Sequence, residues 1–340
     1  PEYAQHWKEW IIENKEAIKF VFTNRPHISI KYMDFLREKT NAKIAYYGHD
    51  LHFLRELREY ELTGDKTKLE SSSKWKAIEF ALMRKADVAY YPSKIEQDII
   101  HESDPSINVK VLVPYIFSEV TTPDYVLEER EDIMFLGGFN HGPNVDAALW
   151  FAKEILPLVQ EKLPKVRWHV LGSHPPKEVQ ALVSDTIKVH GFVTDEELAE
   201  FYEDCRMSVV PLRYGAGIKG KVVEAMKFGI PVLTTSVGAE GILGAENSLA
   251  VEDDPQAFAD HSPVDCHFLR RVHHDAPGPR RSRPQHDGHR GLQGGGRGGA
   301  GTSGPERSLA GTVWPLPGRR AERGSWYFHL HQAIRHRRDS

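Results

Sequence analysis

The chain has 340 residues, 40% of them hydrophobic, with 44 Lys and Arg against 48 Asp and Glu for a formal charge of −4; that length suits two ordinary domains or one large α/β unit. No window reaches the roughly eighteen continuous apolar residues of a membrane helix, the opening PEYAQHWKEW is too polar for a secretory leader, and Pro1 points to a start further upstream. Two cysteines, Cys205 and Cys266, build no disulfide framework and lack metal-ligand spacing, so a reducing cytoplasm is expected.

From Ala17 onward short β-rich runs alternate with helical periodicity, the pattern of parallel sheets covered by helices. The first half reads as a strand at 17–24, a helix at 28–40, a strand at 42–48, a long helical segment up to Lys85, a strand at 87–93, a helix at 94–100 and a strand at 109–114. Trp75, Ile78 and Leu82 recur at helical spacing as a buried stripe, and Ser93 with Glu96 has the spacing of a capping box. Residues 118–131 carry Pro and acids without a period, which places a linker at 121–131 between a domain over 1–120 and another over 132–260.

The second half restarts with a strand at 132–138 and a helix at 143–162, then strands at 166–173 and 187–193. A helix opened by a Thr194–Glu197 box follows, with Leu198, Phe201, Tyr202 and Cys205 as its apolar stripe; a strand at 207–212, a helix at 219–229 and a strand at 230–236 complete the series. The expected fold is α/β, with two Rossmann-like, doubly wound domains facing a cleft.

Beyond residue 260 the alternation stops. Residues 261–340 hold 14 Arg, no Lys, 6 acids and nine of the 18 His, a formal charge of +8 behind a front part at −12. Gly, Pro, Arg and His dominate without either period, so disorder is expected. A basic nucleic-acid arm would need interleaved aromatics or a folded platform, neither of which is evident before Trp314. The loss of every lysine favours instead a segment read out of frame or fused, and no nucleic acid is expected as a partner.

The run GAGIKGKVVEAM, from Gly215 to Met226, follows a strand, where open α/β sheets bind ligands. Gly215 and Gly217 free the backbone, the helix start offers unpaired N–H groups, and Lys219 and Lys221 add positive charge, a combination that fits a diphosphate. Glu224, one turn on, would serve paired hydroxyls of a sugar; a solvated loop with a surface carboxylate is the alternative. Gly137 and Gly138 end the strand before Pro143 without the G-x-G-x-x-G spacing, so a nicotinamide or flavin fingerprint is absent. His49 lies at a strand end where it either meets a substrate hydroxyl or sits half-buried beside a helix N-cap at Asp50. No G-x-S-x-G, H-E-x-x-H, Walker loop or C-x-x-C pair occurs.

Together, FLGGFNHGPNVDAALWFAKEILPLV, HVLGS and VHGFVTDEELAEFYEDCRMSVVPLRYGAGIKGKVVEAMKFGIPVLTTSVGAEGI resemble, from Asp132 to about Asp260, the donor-binding domain of retaining glycosyltransferases of family four, of GT-B architecture. YYGHDLHFLRELREYELTGD and DVAYYPSKIEQDII are similar to the acceptor-side domain of that family. The resemblance implies transfer of a sugar from a nucleotide diphosphate donor to a saccharide or lipid-linked acceptor, with retention, no metal and no cofactor, in the cytoplasm and in peripheral contact with the inner face of the membrane. It implies Glu224 at the donor ribose, Lys219, Lys221 and Arg213 at the diphosphate, and Gly137, Gly138 and Gly217 close to the donor. It further implies the backbone of Phe192 and Val193 at the base, and His49 reaching the transferred sugar. The family pairs two glutamates across seven residues, and the first falls here on Ala216, which leaves Glu240 or backbone amides for the donor sugar. The first domain is shorter than the family's, and the bracing helices expected after DDPQAFAD give way to the aberrant tail. A nucleotide-sugar-binding remnant without turnover is therefore the alternative to an active enzyme.

Overall fold

In the computed structural model, which describes residues 6–117 and 130–261, the first half lies on four parallel strands. The elements run α1 (Trp7–Asn14), β1 (Phe20–Asn24), α2 (Pro26–Ser29), α3 (Met33–Lys39), β2 (Lys43–Tyr47), α4 (His52–Thr63), α5 (Lys66–Lys85), β3 (Val88–Tyr91), α6 (Lys94–Ser103) and β4 (Val109–Val111). The sheet order is β1-β2-β3-β4, with Val21 opposite Ile44 and Ala45 opposite Val88. The long helical segment breaks in two because Gly64 takes a left-handed φ of 72° and Asp65 caps α5 by accepting from the Thr67 N–H at 2.9 Å.

Asp50 does not cap α4. Its N-cap is Leu51, and the buried Glu79 carboxylate of α5 accepts from the main-chain N–H groups of His52 (2.9 Å) and Phe53 (3.1 Å). The capping box at α6 is half formed: Ser93 receives the Glu96 N–H, but the Glu96 carboxyl turns to the Ser93 hydroxyl at 3.1 Å instead of the main chain. Burial, and then the charge of Asp50, push that carboxyl up to about 8. The expected stripe on α5 is broader than Trp75, Ile78 and Leu82, since Phe80 and Met83 are buried with Leu82 while Trp75 and Ile78 are only partly buried.

The second half contains β5 (Ile133–Leu136), α7 (Gly142–Trp150), α8 (Leu156–Lys162), β6 (Trp168–Leu171), α9 (Lys177–Gln180), β7 (Ile187–Gly191), α10 (Asp195–Asp204), β8 (Met207–Val210), α11 (Gly220–Lys227), β9 (Val232–Thr234), α12 (Ser236–Ala239), α13 (Ala245–Ser248), β10 (Ala250–Val251) and α14 (Pro255–His261). A π-helical turn, Phe151–Ile155, separates α7 from α8 where a single helix was expected. Pro157, in the first turn of α8, has no N–H to continue the ladder, and the wider turn absorbs the missing bond. The Thr194–Glu197 box is complete on α10, whose stripe of Leu198, Tyr202 and Cys205 is buried as the spacing predicts.

All six strands of this sheet are parallel, in the order β10-β9-β8-β5-β6-β7. The chain builds outward from β5 through β7, then crosses back to lay β8 on the other side, so the order reverses between β5 and β8. The core centres on Trp168, whose ring lies 4.7 Å from that of Phe151, itself 6.2 Å from Phe258. Deleting one such fully buried ring costs about 3–5 kcal/mol. Cys205 is buried here, and burial pushes its thiol up to about 12.

Both sheets therefore give the α/β, parallel-strand architecture, with the full doubly wound order in the second. The linker at 121–131 lies, apart from residues 130–131, outside the described residues, as does the tail beyond His261. No helix among the described residues is long and apolar enough to cross a membrane.

Candidate functional site

The strand reversal defines where a ligand fits. In open α/β sheets the crevice forms outside the carboxyl ends of the two strands on either side of the reversal, because their following loops diverge there. Here those loops are Gly137–His141 after β5 and Pro211–Lys219 after β8. A cavity of about 420 Å³ opens at this place, walled by Asn144, Lys219 and Lys221 from the second half and by Arg25, His49 and Arg55 from the first.

Gly137 is glycine for reasons of space. A Cβ there would stand 2.8 Å from Cγ of Asn144 and 2.9 Å from Nζ of Lys221. Gly172 supports the same turn, since its Cβ would fall 2.0 Å from the Gly137 carbonyl oxygen and its φ is 142°. Gly138, by contrast, is open, with only the Ser173 hydroxyl within contact range. α7 then begins with Pro143 in its first turn, and Asn144, which lines the cavity, donates to the Gly138 carbonyl at 2.7 Å and so fixes the loop.

The β8 loop ends in α11, whose N-cap position is Lys219 and whose first turn has no side-chain cap. Its leading amides thus face the cavity without an acceptor side chain, a ready site for an anion. Lys219 is buried, donates from Nζ to the Gly217 carbonyl at 2.5 Å and stands 3.6 Å from Glu240. The Lys221 ammonium reaches Oδ1 of Asn144 and lies 4.6 Å over the Phe135 ring. Burial and the charge of Lys219 push Lys221 down to about 7, so an incoming anion would restore its proton.

Gly217 adopts a φ of 72° and packs on the first half: a Cβ there would be 3.0 Å from the His49 carbonyl oxygen. His49 has a left-handed φ of 70°, which only a few per cent of non-glycine residues adopt. Its Nε2 is buried and accepts or donates no hydrogen bond, while burial and then Arg25 lower its pKa to about 4. The imidazole is therefore neutral at pH 7, with an unsatisfied nitrogen at the cavity.

Other expected site residues stand apart from the cavity lining. Arg213 turns to Asp146, with a 2.9 Å bond from Nε and its guanidinium 5.5 Å over Trp150, so it is not placed for a diphosphate. Glu240 is held by both arms of Arg58, at 2.8 and 2.6 Å, and Arg58 also donates to the Gly215 carbonyl at 2.7 Å. Both Glu240 oxygens are thus engaged within the protein. Glu224 is half-buried just beyond the lining, near Tyr115 and Asp195; burial raises its pKa to about 7. Phe192 is 70% exposed, and Val193 packs against the second core.

Tyr115, Asn144, Arg25 and Arg55 line the cavity without having been singled out in the sequence. Asn144 had a local signal, a polar residue in the first turn of a helix that follows a glycine pair. Tyr115 had none; it reaches the site by lying over Gly220, where a Cβ would come within 2.7 Å of its hydroxyl. Among the described residues no cluster of His, Cys, Asp and Glu is arranged to hold a metal.

Residues 130–262 match the family of glycosyl transferases group 1. A protein of Klebsiella pneumoniae, an uncharacterized 44.6 kDa protein in the cps region, is 25% identical over 138 residues, 38% of this chain and 36% of that protein's length. Among solved structures, sucrose-phosphate synthase from Thermosynechococcus elongatus superposes with a TM-score of 0.60 at 16% identity, over 80% of this chain and 70% of its own. TarM of S. aureus in a complex containing UDP gives 0.55 at 16% identity over 79% and 51%, and Anabaena HepE in complex with UDP and glucose gives 0.56 at 12% over 80% and 76%. Residues 130–262 are therefore similar to the glycosyl transferases group 1 domain, and the α/β fold with parallel sheets is the one shared with GT-B glycosyltransferase structures.

Proposed function

We propose that the chain is a retaining glycosyltransferase of family-four type that moves a sugar from a nucleoside diphosphate to a saccharide or lipid-linked acceptor, in the assembly of cell-surface polysaccharide or glycolipid. The observation that carries this reading is the cavity at the strand reversal. One wall offers the uncapped start of α11 with Lys219 and Lys221, and the other offers the neutral His49. HepE and TarM, with UDP in their crystals, and the relative in a cps region support the kind of donor and the kind of product.

In this reading Lys221 and the α11 amides take the diphosphate, and Glu224 takes the ribose from just beyond the lining. Gly137 and Gly138 let the backbone approach the donor, and the main chain at Phe192 and Val193 meets the base. The acceptor hydroxyl attacks the anomeric carbon on the face from which the diphosphate leaves. The new C–O bond forms as the old one breaks, and the hydroxyl proton passes to a departing phosphate oxygen. His49 holds the transferred sugar, and the protein's own cations stabilise the leaving charge without a resident cofactor. The site works from the cytoplasm, at the inner face of the membrane when the acceptor is lipid-linked.

Melting curves with UDP, GDP and ADP test the donor site. A ligand at about 100 times its Kd stabilises the folded chain by about 2.7 kcal/mol, a shift of several degrees in Tm. No shift with any of the three would overturn the proposal. Binding without transfer to any acceptor would leave a binding remnant and sink the enzyme.

A further inference from the structure

The first-half wall of the cavity carries a positive charge that a nucleotide sugar does not use. Arg25, Arg55, Lys219 and Lys221 line the cavity against a single carboxylate, Asp50. Asp50 is committed to Arg55, and Lys219 is neighboured by Glu240. In the reading above Lys221 faces the diphosphate. Arg25 alone is left over, since no ion pair or side-chain hydrogen bond among the described residues uses it.

Its position is built. Arg25 sits at the carboxyl end of β1 with φ 59° and ψ 131°, a conformation an L side chain rarely takes. The main chain is fixed on both sides: its N–H donates to the Tyr47 carbonyl at 3.0 Å, and its carbonyl accepts from Ile28 at 3.2 Å and Ser29 at 2.9 Å. The charge is felt at the neighbouring imidazoles, lowering His49 after the effect of burial and His27 after burial and the charge of His52. A planar guanidinium with five donors and no ion-pair partner among the described residues matches a carboxylate or a phosphate in a two-bond fork.

We propose that Arg25 binds an anionic group on the acceptor, so that the sugar being extended is acidic, bearing either a carboxylate or a phosphate. The assignment rests on the glycosyltransferase reading and names the acceptor class for the same site. The acceptor's negative charge would pair with the exposed lining cation that has no ion-pair partner among the described residues and is not assigned to the donor.

Calorimetric titration tests it with glucose, glucuronate and glucose 6-phosphate as probes, on the wild type, Arg25→Gln, Arg25→Lys and Lys221→Gln, each with and without saturating UDP. The wild type is expected to hold at least one charged sugar tenfold or more tighter than glucose. Arg25→Gln should erase that preference while keeping the wild-type affinity for UDP, and Arg25→Lys should keep part of it. Preference for glucuronate identifies a carboxylate, and preference for glucose 6-phosphate a phosphate. Equal affinities in the wild type, or a preference that survives Arg25→Gln, overturns the proposal. So does a preference lost only in Lys221→Gln, which would place the anion in the donor pocket. Absence of UDP binding with the preference intact would sink the donor reading alone.

Discussion

The two sheets begin alike and end differently. At the amino ends an aspartate clamps each: Asp87 before β3 accepts from the Ile44 N–H at 2.8 Å and pairs with Arg37, while Asp132 before β5 accepts from the Arg167 N–H at 3.0 Å and pairs with that residue's guanidinium. At the carboxyl ends the first sheet runs into Arg25 and His49, large side chains on left-handed backbone. The second has Gly172 after β6, Gly191 at the end of β7 and Gly215 after β8, with φ of 142°, 76° and 155°, and His174 at φ 58° beside them. Glycines remove side chains so that bare amides can approach a bulky ligand, whereas strained Arg and His residues present specific groups at fixed angles. In the proposed function one end admits the donor and the other selects the acceptor.

The sharpest way to break this contrast is to put a side chain where the second sheet has none. Gly172→Ala drives a Cβ into the Gly137 carbonyl at 2.0 Å and strains a φ of 142°. It should cost about 2–4 kcal/mol in urea unfolding and abolish the UDP-induced rise in Tm. A stable variant with normal nucleotide binding would show that the turn is not set by space. Next in size, Lys221→Gln should weaken UDP about tenfold, close to 1.4 kcal/mol, if this charge faces the diphosphate as proposed. The sign with pH follows from its position near 7 in the free protein. An anion raises that value, so above pH 7 binding takes up a proton and affinity falls as pH rises. Calorimetry in buffers of different ionisation heats should record the uptake in the wild type and not in Lys221→Gln.

On the first sheet, His49→Gly relieves a left-handed φ and adds chain entropy to the unfolded state. The two effects nearly cancel, so stability should stay within about 1 kcal/mol of the wild type while sugar transfer collapses. A large loss of stability would mean that the imidazole is structural. The smallest effect is expected from Arg213→Ala, whose exposed pairing with Asp146 is worth at most about 1 kcal/mol. Its UDP affinity should match the wild type, and a tenfold loss would return Arg213 to the diphosphate.

The second half was legible because its signals are local. Buried strands such as β8, the Thr194–Glu197 box and the glycine turn at 137 are each written within a few residues. What escaped is long in range. Lys221 meets Asn144 across 77 positions and Arg58 meets Glu240 across 182, so no periodicity can announce either pair. Arg213 misled for a related reason: it stands beside the right loop in sequence but turns to Asp146, which only the packing of α7 brings near. Arg25 has no local signal at all, since an Arg before Pro reads as a solvated turn until β2 supplies the Tyr47 carbonyl that pins it. The split between α4 and α5 was written in Gly64 and Asp65, yet the capping of α4 by Glu79 from the next helix was not.

Cys205 gives the second core a timer. With its thiol packed under α10 and pushed up to about 12, it forms almost no thiolate at neutral pH, and alkylating reagents cannot reach the sulfur while the helix stays docked. Modification of this one sulfur accordingly counts the moments at which α10 lifts off, and oxidants and electrophiles leave it untouched while the helix stays docked.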